Sequence, residues 1–362
     1  MMKEKLHSFH LTILIYLIQT GVVLFILPGT LAKTFGTNGW LAILPVSAMM
    51  IINIILIGAV FRLGKGKPFF AIVEEGIPRL VVVPIYIFLI ILWSLLGCLT
   101  GKQYIAIFQV FSFQHSPSSL LKLMYDVLLY FLVIKGIYNI AKASTIIFSI
   151  TIFLFILFFY FFPDLEMVSF TPFLFQNGDG WTSGVFDTYV AFLGAELSLL
   201  FFPYVNKESK FIRSVILGNL LTTFVYVYSC FLIFGVFGYD YIKNLRFPLM
   251  QLLSLIEFPF IERLENLLYC LFMLKVLITT AMFIWAATEA AKRIFPNKGE
   301  KSIAFLIVLG VYLISFIPET LDQIASWMKF LASIEIVISY TLPIIAILLL
   351  FIRKKGRKKE HG

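Results

Sequence analysis

The sequence predicts an all-α integral membrane protein with about ten transmembrane helices in a single transmembrane domain, residues 1–362. Of the 362 residues, 60% are hydrophobic and only 14% are charged, whereas soluble domains are about half apolar and a quarter charged. The apolar residues form a series of runs close to the roughly 20 residues that a helix needs to cross a bilayer. Lysine and arginine residues cluster between alternate runs, which is typical of multi-pass membrane proteins.

The apolar runs are numbered here as spans 1 to 10 in chain order. They cover residues 9–31, 39–61, 81–113, 120–140, 143–162, 184–204, 213–238, 262–290, 302–317 and 327–352. Span 1 follows two lysines and resembles a signal peptide, but it is longer than the roughly 7–15 residues of an h-region. We therefore interpret it as a retained first span.

The distribution of basic residues predicts the orientation. Of the 29 Lys and Arg residues, 21 lie on the side of the two termini, 7 lie on the opposite side, and Lys275 lies inside span 8. Because basic residues are retained in the cytoplasm, this bias places both termini there. The basic tail 353–362 is then a cytoplasmic topology anchor, with anionic lipid as a further contact. The net charge of +9 is explained by topology rather than by nucleic-acid binding.

Three connecting segments are longer than turns. Residues 62–80 form an inside loop with a short amphipathic piece, and residues 163–183 form an outside loop without Lys or Arg. Residues 239–261 are outside and hydrophobic enough to fold over the bundle as a lid.

The sequence contains no motif that favours an enzyme. Walker, HExxH and nucleophile-elbow patterns do not occur. Cys98, Cys230 and Cys270 are isolated within apolar runs, and the four histidines form no ligand set. We therefore predict no catalytic residues, no metal, no cofactor and no nucleic-acid partner.

Span 1 contains the first of two predicted helix breaks. Gln19-Thr20-Gly21 places polar residues and a glycine at mid-span, and Pro28-Gly29 follows. Non-helical backbone at this depth is tolerated only against protein or a water-lined cavity. The alternative is that Gly21 only allows a neighbouring helix to pack closely.

Span 6 contains the second break, at Phe192-Leu193-Gly194-Ala195-Glu196. A carboxylate near mid-membrane costs at least about 2.5–3.5 kcal/mol, so Glu196 should face the interior or a cavity. We favour a site-lining role for Glu196, and a protonated glutamate with a structural hydrogen bond is the alternative.

The two breaks open corresponding halves of the chain, which predicts a five-plus-five inverted repeat of residues 9–162 and 184–352. Paired broken helices indicate a midplane binding site, where freed N–H groups suit a carboxylate and freed carbonyls suit an amine or cation. A small zwitterion fits both. The predicted substrate-binding residues are Gln19, Thr20, Gly21, Val22, Tyr104, Phe192, Gly194, Ala195, Glu196 and Thr279.

Lys275 lies near the middle of span 8, with Thr279 one turn later and Thr280 beside it. A lysine at this depth must pair, lose its proton or contact water. We predict Lys275, Glu196, Thr279 and Thr280 as ion- or proton-coupling residues. The alternative for Lys275 is a structural ion pair with Glu196 or with Glu335 of span 10.

Two further acidic residues lie nearer the ends of their spans. These are Asp126 of span 4 and Glu289 of span 8, and we expect both at the membrane interface.

These residues resemble a known family. Phe192-Leu193-Gly194-Ala195-Glu196 resembles the F-x-G-x-E break of sixth helices in the amino acid–polyamine–organocation (APC) superfamily, and Gly21 with Leu27-Pro28 resembles its first-helix signature. More specifically, Phe247-Pro248 and the stretch from Phe260 to Glu265 (FIERLE) are similar to the spore germination B-subunit permeases of GerA-type germinant receptors.

The resemblance covers nearly the whole chain and implies a LeuT-like fold with discontinuous helices 1 and 6. It also implies a receptor subunit that senses an amino acid or similar germinant in the inner membrane of a bacterial spore. A-type and C-type receptor subunits are the implied partners.

The sequence departs from the superfamily in two places. Gly21 is followed by Val22 rather than by a G-x-G pattern, and Lys275 stands where a neutral polar residue is expected. In a sodium-coupled relative, the Lys275 ammonium would occupy the place of the ion, and the neighbouring threonines would help to line it. A proton-coupled amino acid transporter and a ligand-gated cation channel component remain alternatives to the receptor.

Overall fold

A computed structural model of the chain describes residues 5–112, 116–206, 210–256 and 264–360, without the side chains of residues 264–265 and 355–360. Within these residues, all regular secondary structure is helical. The prediction of an all-α fold is therefore confirmed. Every predicted span contains at least one helix.

The first five spans contain helices with the following bounds. They are Ser8–Gln19 and Val23–Phe35 in span 1, a 3-10 turn Gly39–Ala42 and Ile43–Leu63 in span 2, Arg79–Phe111 in span 3, Ser118–Val133 in span 4, and Gly136–Thr151, Phe153–Leu157 and the 3-10 helix Phe158–Asp164 in span 5.

The second five spans follow the same order along the chain. They contain Trp181–Tyr189 and the 3-10 helices Val190–Phe192 and Ala195–Tyr204 in span 6, Phe211–Phe237 in span 7, Leu264–Ile294 in span 8, Glu300–Ile314 in span 9, and Leu321–Glu360 in span 10.

Seven helical segments are long and apolar enough to cross a membrane, and the bent pair in span 1 brings the number to 8. The helices of spans 4 and 9 are shorter, with 16 and 15 residues. At 1.5 Å per residue each is about 24 Å long, less than the ~30 Å hydrocarbon thickness. The prediction of ten helices therefore holds for their order, while spans 4 and 9 are short.

Span 1 lies at the centre of the bundle, where it packs against spans 5, 7 and 8, and span 3 packs along span 8. Spans 6 and 8 are the most deeply buried of the long helices, whereas spans 5 and 10 have large lipid-facing surfaces. The broken helices are therefore interior elements, and any cavity at their breaks is enclosed by protein.

Two connecting segments fold as the sequence predicts. In the inside loop, helix Phe69–Gly76 buries Phe69, Phe70, Ile72 and Val73, as expected of an amphipathic piece. The predicted lid forms helices Tyr239–Ile242 and Pro248–Leu253, and the second of these packs on the outer half of span 1. Residues 257–261 of that prediction lie outside the described residues.

The surroundings of three charged residues differ from the prediction. Lys102 and Lys122, which the topology count placed outside, are buried within spans 3 and 4. Asp126, expected at the interface, is also buried and accepts a hydrogen bond of 2.6 Å from Lys122 Nζ. Because the two residues are four apart on one helix, each neutralises the other, which lowers the cost of burying both.

Candidate functional site

The break in span 1 lies at the centre of the bundle. Helix Ser8–Gln19 ends there, helix Val23–Phe35 begins two residues after Gly21, and the two axes differ by 57°. The Gly21 N–H donates to Gln19 O over 2.9 Å instead of continuing the helix. The carbonyls of the preceding turn are therefore free to accept other donors.

Side chains from other spans satisfy these freed carbonyls. The Thr279 hydroxyl lies 3.0 Å from Leu17 O and 3.1 Å from Ile18 O. The Tyr226 hydroxyl of span 7 lies 2.6 Å from Gln19 O and 2.9 Å from Ala191 O. Since Ala191 belongs to span 6, the Tyr226 hydroxyl bridges the two broken helices.

The span 6 break requires glycine. Gly194 has φ +107°, and a Cβ atom there would overlap Ile18 Cγ2 of span 1. The Gln19 amide nitrogen donates to Phe192 O over 2.8 Å and to Asn219 Oδ1 over 3.0 Å. The two predicted breaks are thus in direct contact.

A cavity of about 50 Å³ lies beside the span 1 break. Such a volume exceeds the space that one water needs. Its lining comes from spans 1, 3, 6, 8 and 10 and consists of Ile18, Gln19, Gly21, Val22, Val23, Leu96, Thr100, Gln103, Val190, Leu193, Thr279, Phe283, Met328 and Ala332.

The Gln103 side chain is buried on the wall of this cavity. Within the described residues its amide makes no hydrogen bond, whereas Thr100 on the same helix donates to Leu96 O over 2.8 Å. An unpaired amide in an otherwise apolar wall is a group that a polar ligand can satisfy.

Four of the predicted substrate-binding residues line the cavity, namely Gln19, Gly21, Val22 and Thr279. Thr20 is buried beside it, but its hydroxyl donates to Tyr16 O over 2.8 Å. Span 6 contributes Val190 and Leu193 in place of the predicted residues.

The remaining predicted substrate-binding residues lie elsewhere. Phe192 packs edge-on against the Tyr226 ring, with the centroids 5.5 Å apart, and Ala195 is fully buried. Tyr104 donates to Tyr269 O of span 8. Gly194 contacts Ile18, and Glu196 lines a separate cavity of about 10 Å³ with Trp93 and Glu335.

Lys275 has a different partner from either carboxylate considered in the sequence. Its ammonium donates to the Tyr16 hydroxyl over 3.2 Å and lies 5.1 Å and 5.2 Å from the ring centroids of Tyr16 and Phe272. The alternative of an ion pair with Glu196 or Glu335 is therefore wrong for this structure. The aromatic faces attract the cation in a place that water does not reach.

The two threonines after Lys275 face in different directions. Thr279 faces the span 1 break, whereas the Thr280 hydroxyl lies 2.8 Å from the Tyr125 hydroxyl of span 4. The predicted ion-coupling residues are therefore distributed over several places. Among the described residues, no group of three or more His, Cys, Asp or Glu residues could hold a metal ion.

Sequence reasoning missed the contributions of spans 3, 7 and 10. Thr100 and Gln103 are polar residues three apart in a long apolar helix, and this pattern could have identified one wall of the cavity. Met328 and Ala332 carry no comparable signal, because apolar residues in an apolar span do not reveal which way they face.

Comparison with known proteins supports this architecture. The chain superposes with a TM-score of 0.66 on Mhp1, a nucleobase-cation-symport-1 family transporter, at 12% identity over 91% of this chain and 75% of that chain. It superposes with a TM-score of 0.62 on MhsT in complex with L-phenylalanine, at 16% identity over 96% of this chain and 89% of that chain. The fold is therefore that of LeuT-type transporters, with discontinuous helices 1 and 6.

Sequence relatives are more specific. Spore germination protein GerQB of Bacillus cereus is 24% identical over 86% of each chain. Spore germination protein YndE of Bacillus subtilis (strain 168) is 22% identical over 98% of this chain and 99% of that protein, and protein B2 of the same strain is 21% identical over 98% and 97%.

The family assignment does not depend on the FIERLE stretch alone. Residues 257–263 lie outside the described residues, as do the side chains of Leu264 and Glu265. The sequence profile of the family described as spore germination protein matches residues 5–324, so the resemblance extends over most of the chain. This chain belongs to the spore germination permease family.

Proposed function

We propose that the chain is the membrane-embedded, ligand-binding subunit of a germinant receptor. The observation that carries this proposal is the cavity of about 50 Å³ where the span 1 break meets spans 3, 6, 8 and 10. A ligand there contacts both halves of the chain, so its binding favours one arrangement of the two broken helices over another.

The chemistry of the cavity favours a small amino acid. The first N–H groups of helix Val23–Phe35 have no partner within the helix, and its positive end favours a carboxylate. The free Gln103 amide provides a second polar contact. The remaining wall is mainly apolar and includes Leu96, Phe283 and Met328, which suits a short aliphatic side chain.

The family provides the setting for this ligand. By its membership we place the chain in the inner membrane of a bacterial spore, with A-type and C-type receptor subunits as partners and both termini in the cytoplasm. Basic residues favour the termini side, and the two buried lysines of spans 3 and 4 no longer count against this orientation.

The ligand is identified first by thermal stabilisation of the purified full-length chain with single amino acids. A ligand present at 100 times its Kd stabilises the folded state by about 2.7 kcal/mol, which raises the unfolding temperature by several degrees. Failure of every amino acid to stabilise the wild-type chain would contradict an amino acid ligand.

A matched pair of variants then tests the place of binding. Ala332 lines the cavity, whereas Ala346 is equally buried on the same helix but does not line it. We expect Ala332→Val to weaken binding of the stabilising amino acid at least about tenfold by filling the cavity, and Ala346→Val to leave the affinity unchanged. Equal effects of both variants would place the ligand elsewhere.

Spores provide the functional test. With Ala332→Val as the only copy of this subunit, germination should require a higher germinant concentration and reach the same maximum. An unchanged dose response in spores, together with weakened binding in vitro, would show that the site does not trigger germination.

A proton-coupled transporter is the second candidate, because both solved neighbours belong to a transporter fold. Proteoliposomes containing the chain distinguish the two functions. Accumulation of the bound amino acid driven by a pH gradient supports transport, whereas binding without uptake supports a receptor.

A further inference from the structure

A second buried site lies between the inner half of span 6 and span 10. Glu196 and Glu335 line a cavity of about 10 Å³ together with Trp93, Ser339 and four leucines. Both glutamates are at least nine-tenths buried. Their side chains are close enough to interact directly.

The hydrogen bonds around the two carboxyl groups are unequal. Both oxygens of Glu196 accept from the Gly194 N–H, at 2.8 Å and 2.7 Å. Glu335 Oε1 accepts from Trp93 Nε1 over 3.1 Å, whereas its Oε2 is fully buried without a partner. An oxygen acceptor therefore faces another acceptor, and nothing protein-bound stands between them.

No counter-ion compensates this pair. Among the described residues, neither glutamate makes a salt bridge, and the buried Lys275 is directed at Tyr16 instead. The other titratable groups nearby are the phenols of Tyr189 and Tyr340, which are neutral at physiological pH. Two adjacent buried carboxylates cannot both remain charged in such a place.

We propose that Glu196 and Glu335 form a proton-binding site in which one proton on Glu335 Oε2 is donated to the Glu196 carboxylate. This position satisfies the unpaired oxygen and leaves one negative charge on Glu196, where the Gly194 N–H stabilises it. The shared proton then joins the broken segment of span 6 to span 10.

The site is connected to the ligand cavity through span 10. Met328 and Ala332 line the ligand cavity, and Glu335 and Ser339 line the carboxyl cavity further along the same helical face. A change at Glu335 can therefore shift the helix that forms one wall of the ligand cavity. This link rests on the proposed function, whereas proton binding itself does not.

Infrared spectroscopy of the purified full-length chain tests the proton directly. We expect the wild-type protein at neutral pH to show the carbonyl stretch of a protonated carboxyl group in a dry environment, and this band should disappear in Glu335→Gln. A spectrum without such a band in the wild type would overturn the proposal, and so would an unchanged band in both Glu335→Gln and Glu196→Gln.

Thermal unfolding of the ligand-free protein provides the second measurement. The unfolded chain releases this proton well below neutral pH, whereas the folded chain retains it, so stability should fall as the pH rises from about 6 to about 9. We expect a fall in unfolding temperature of at least about 2–4 °C beyond that of Glu335→Gln. In Glu335→Gln the amide donates in place of the proton, so this extra dependence should be lost.

Two controls distinguish a proton at this site from the loss of any glutamate charge and from a bound metal cation. Glu319→Gln changes an exposed glutamate just before span 10 and should keep the wild-type pH dependence. If sodium or potassium chloride restores the alkaline stability and choline chloride does not, the site holds a monovalent cation and the proton assignment is wrong.

The ligand arm distinguishes this proposal from the proposed function. Tighter binding of the stabilising amino acid at lower pH, lost in Glu335→Gln, would support coupling between the two cavities. If no amino acid binds but the infrared band and the pH dependence are present, the proton site stands and the proposed function fails.

Discussion

The two broken helices satisfy their freed backbone groups in opposite ways. At the span 1 break the free carbonyls accept from neutral hydroxyls of other spans, those of Thr279 and Tyr226. At the span 6 break the Gly194 N–H donates to a carboxylate of its own segment, Glu196. Neutral groups leave the first break responsive to a ligand, whereas a carboxyl group makes the second responsive to protons.

The largest expected effect concerns the contact between the breaks. Gly194→Ala combines a left-handed conformation, costing about 1–2 kcal/mol, with overlap against Ile18, costing about a further 1–3 kcal/mol. We expect the free energy of unfolding of the purified chain to fall by about 2–5 kcal/mol, measured in denaturant.

Gly136 provides the matched control. It has φ +75°, and a Cβ atom there would meet nothing within 4 Å. Gly136→Ala should cost only the backbone part, about 1–2 kcal/mol, and Ile18→Ala should partly rescue Gly194→Ala. Equal losses at both glycines would show that the two breaks do not depend on close contact.

The next effect concerns the hydroxyl that joins the two breaks. Tyr226→Phe leaves Gln19 O and Ala191 O without their donor, so stability should fall by about 1–3 kcal/mol. Tyr228 lies on the same helix, and its buried hydroxyl has no partner. Tyr228→Phe should therefore change the unfolding temperature little, and similar losses in both variants would contradict the bridging role.

The sequence predicted the breaks better than it predicted the groups around them. A glycine beside polar residues in an apolar span is a local signal, so Gly21 and Gly194 could be located without a structure. The partners of Glu196 and Lys275 depend on helix rotation, which a uniformly apolar span does not specify. For that reason Glu335 was assigned to the wrong partner, and Gln103 and Tyr226 were missed.

A smaller effect is expected where a single hydroxyl serves the span 1 break. Thr279→Val preserves the shape of the side chain but removes the donor to Leu17 O and Ile18 O, which should cost about 1 kcal/mol. Because Thr279 also lines the cavity, the affinity for the stabilising amino acid should fall.

Thr288 on the same helix is the control for this change. Its hydroxyl donates to Ile284 O within a regular turn, so that carbonyl retains its helical hydrogen bond when the hydroxyl is removed. Thr288→Val should be nearly neutral, and ligand affinity should not change. If Thr279→Val leaves both stability and affinity unchanged, the span 1 carbonyls do not need the hydroxyl.

The smallest effect tests whether any polar contact between spans 6 and 10 has the importance given to the carboxyl pair. Lys329 Nζ of span 10 lies 2.9 Å from an oxygen of Asp187 in span 6, but the lysine side chain is 63% exposed. Exposed ion pairs contribute about 0–1 kcal/mol, so Lys329→Met should lower the unfolding temperature by no more than about 1–2 °C. Its effect should shrink in high salt, because exposed charges are screened, whereas the effect of Glu335→Gln on the pH profile should not. If Lys329→Met instead abolished the pH dependence, the connection between spans 6 and 10 would depend on the outer ion pair, and the contrast between the two breaks would lose its basis.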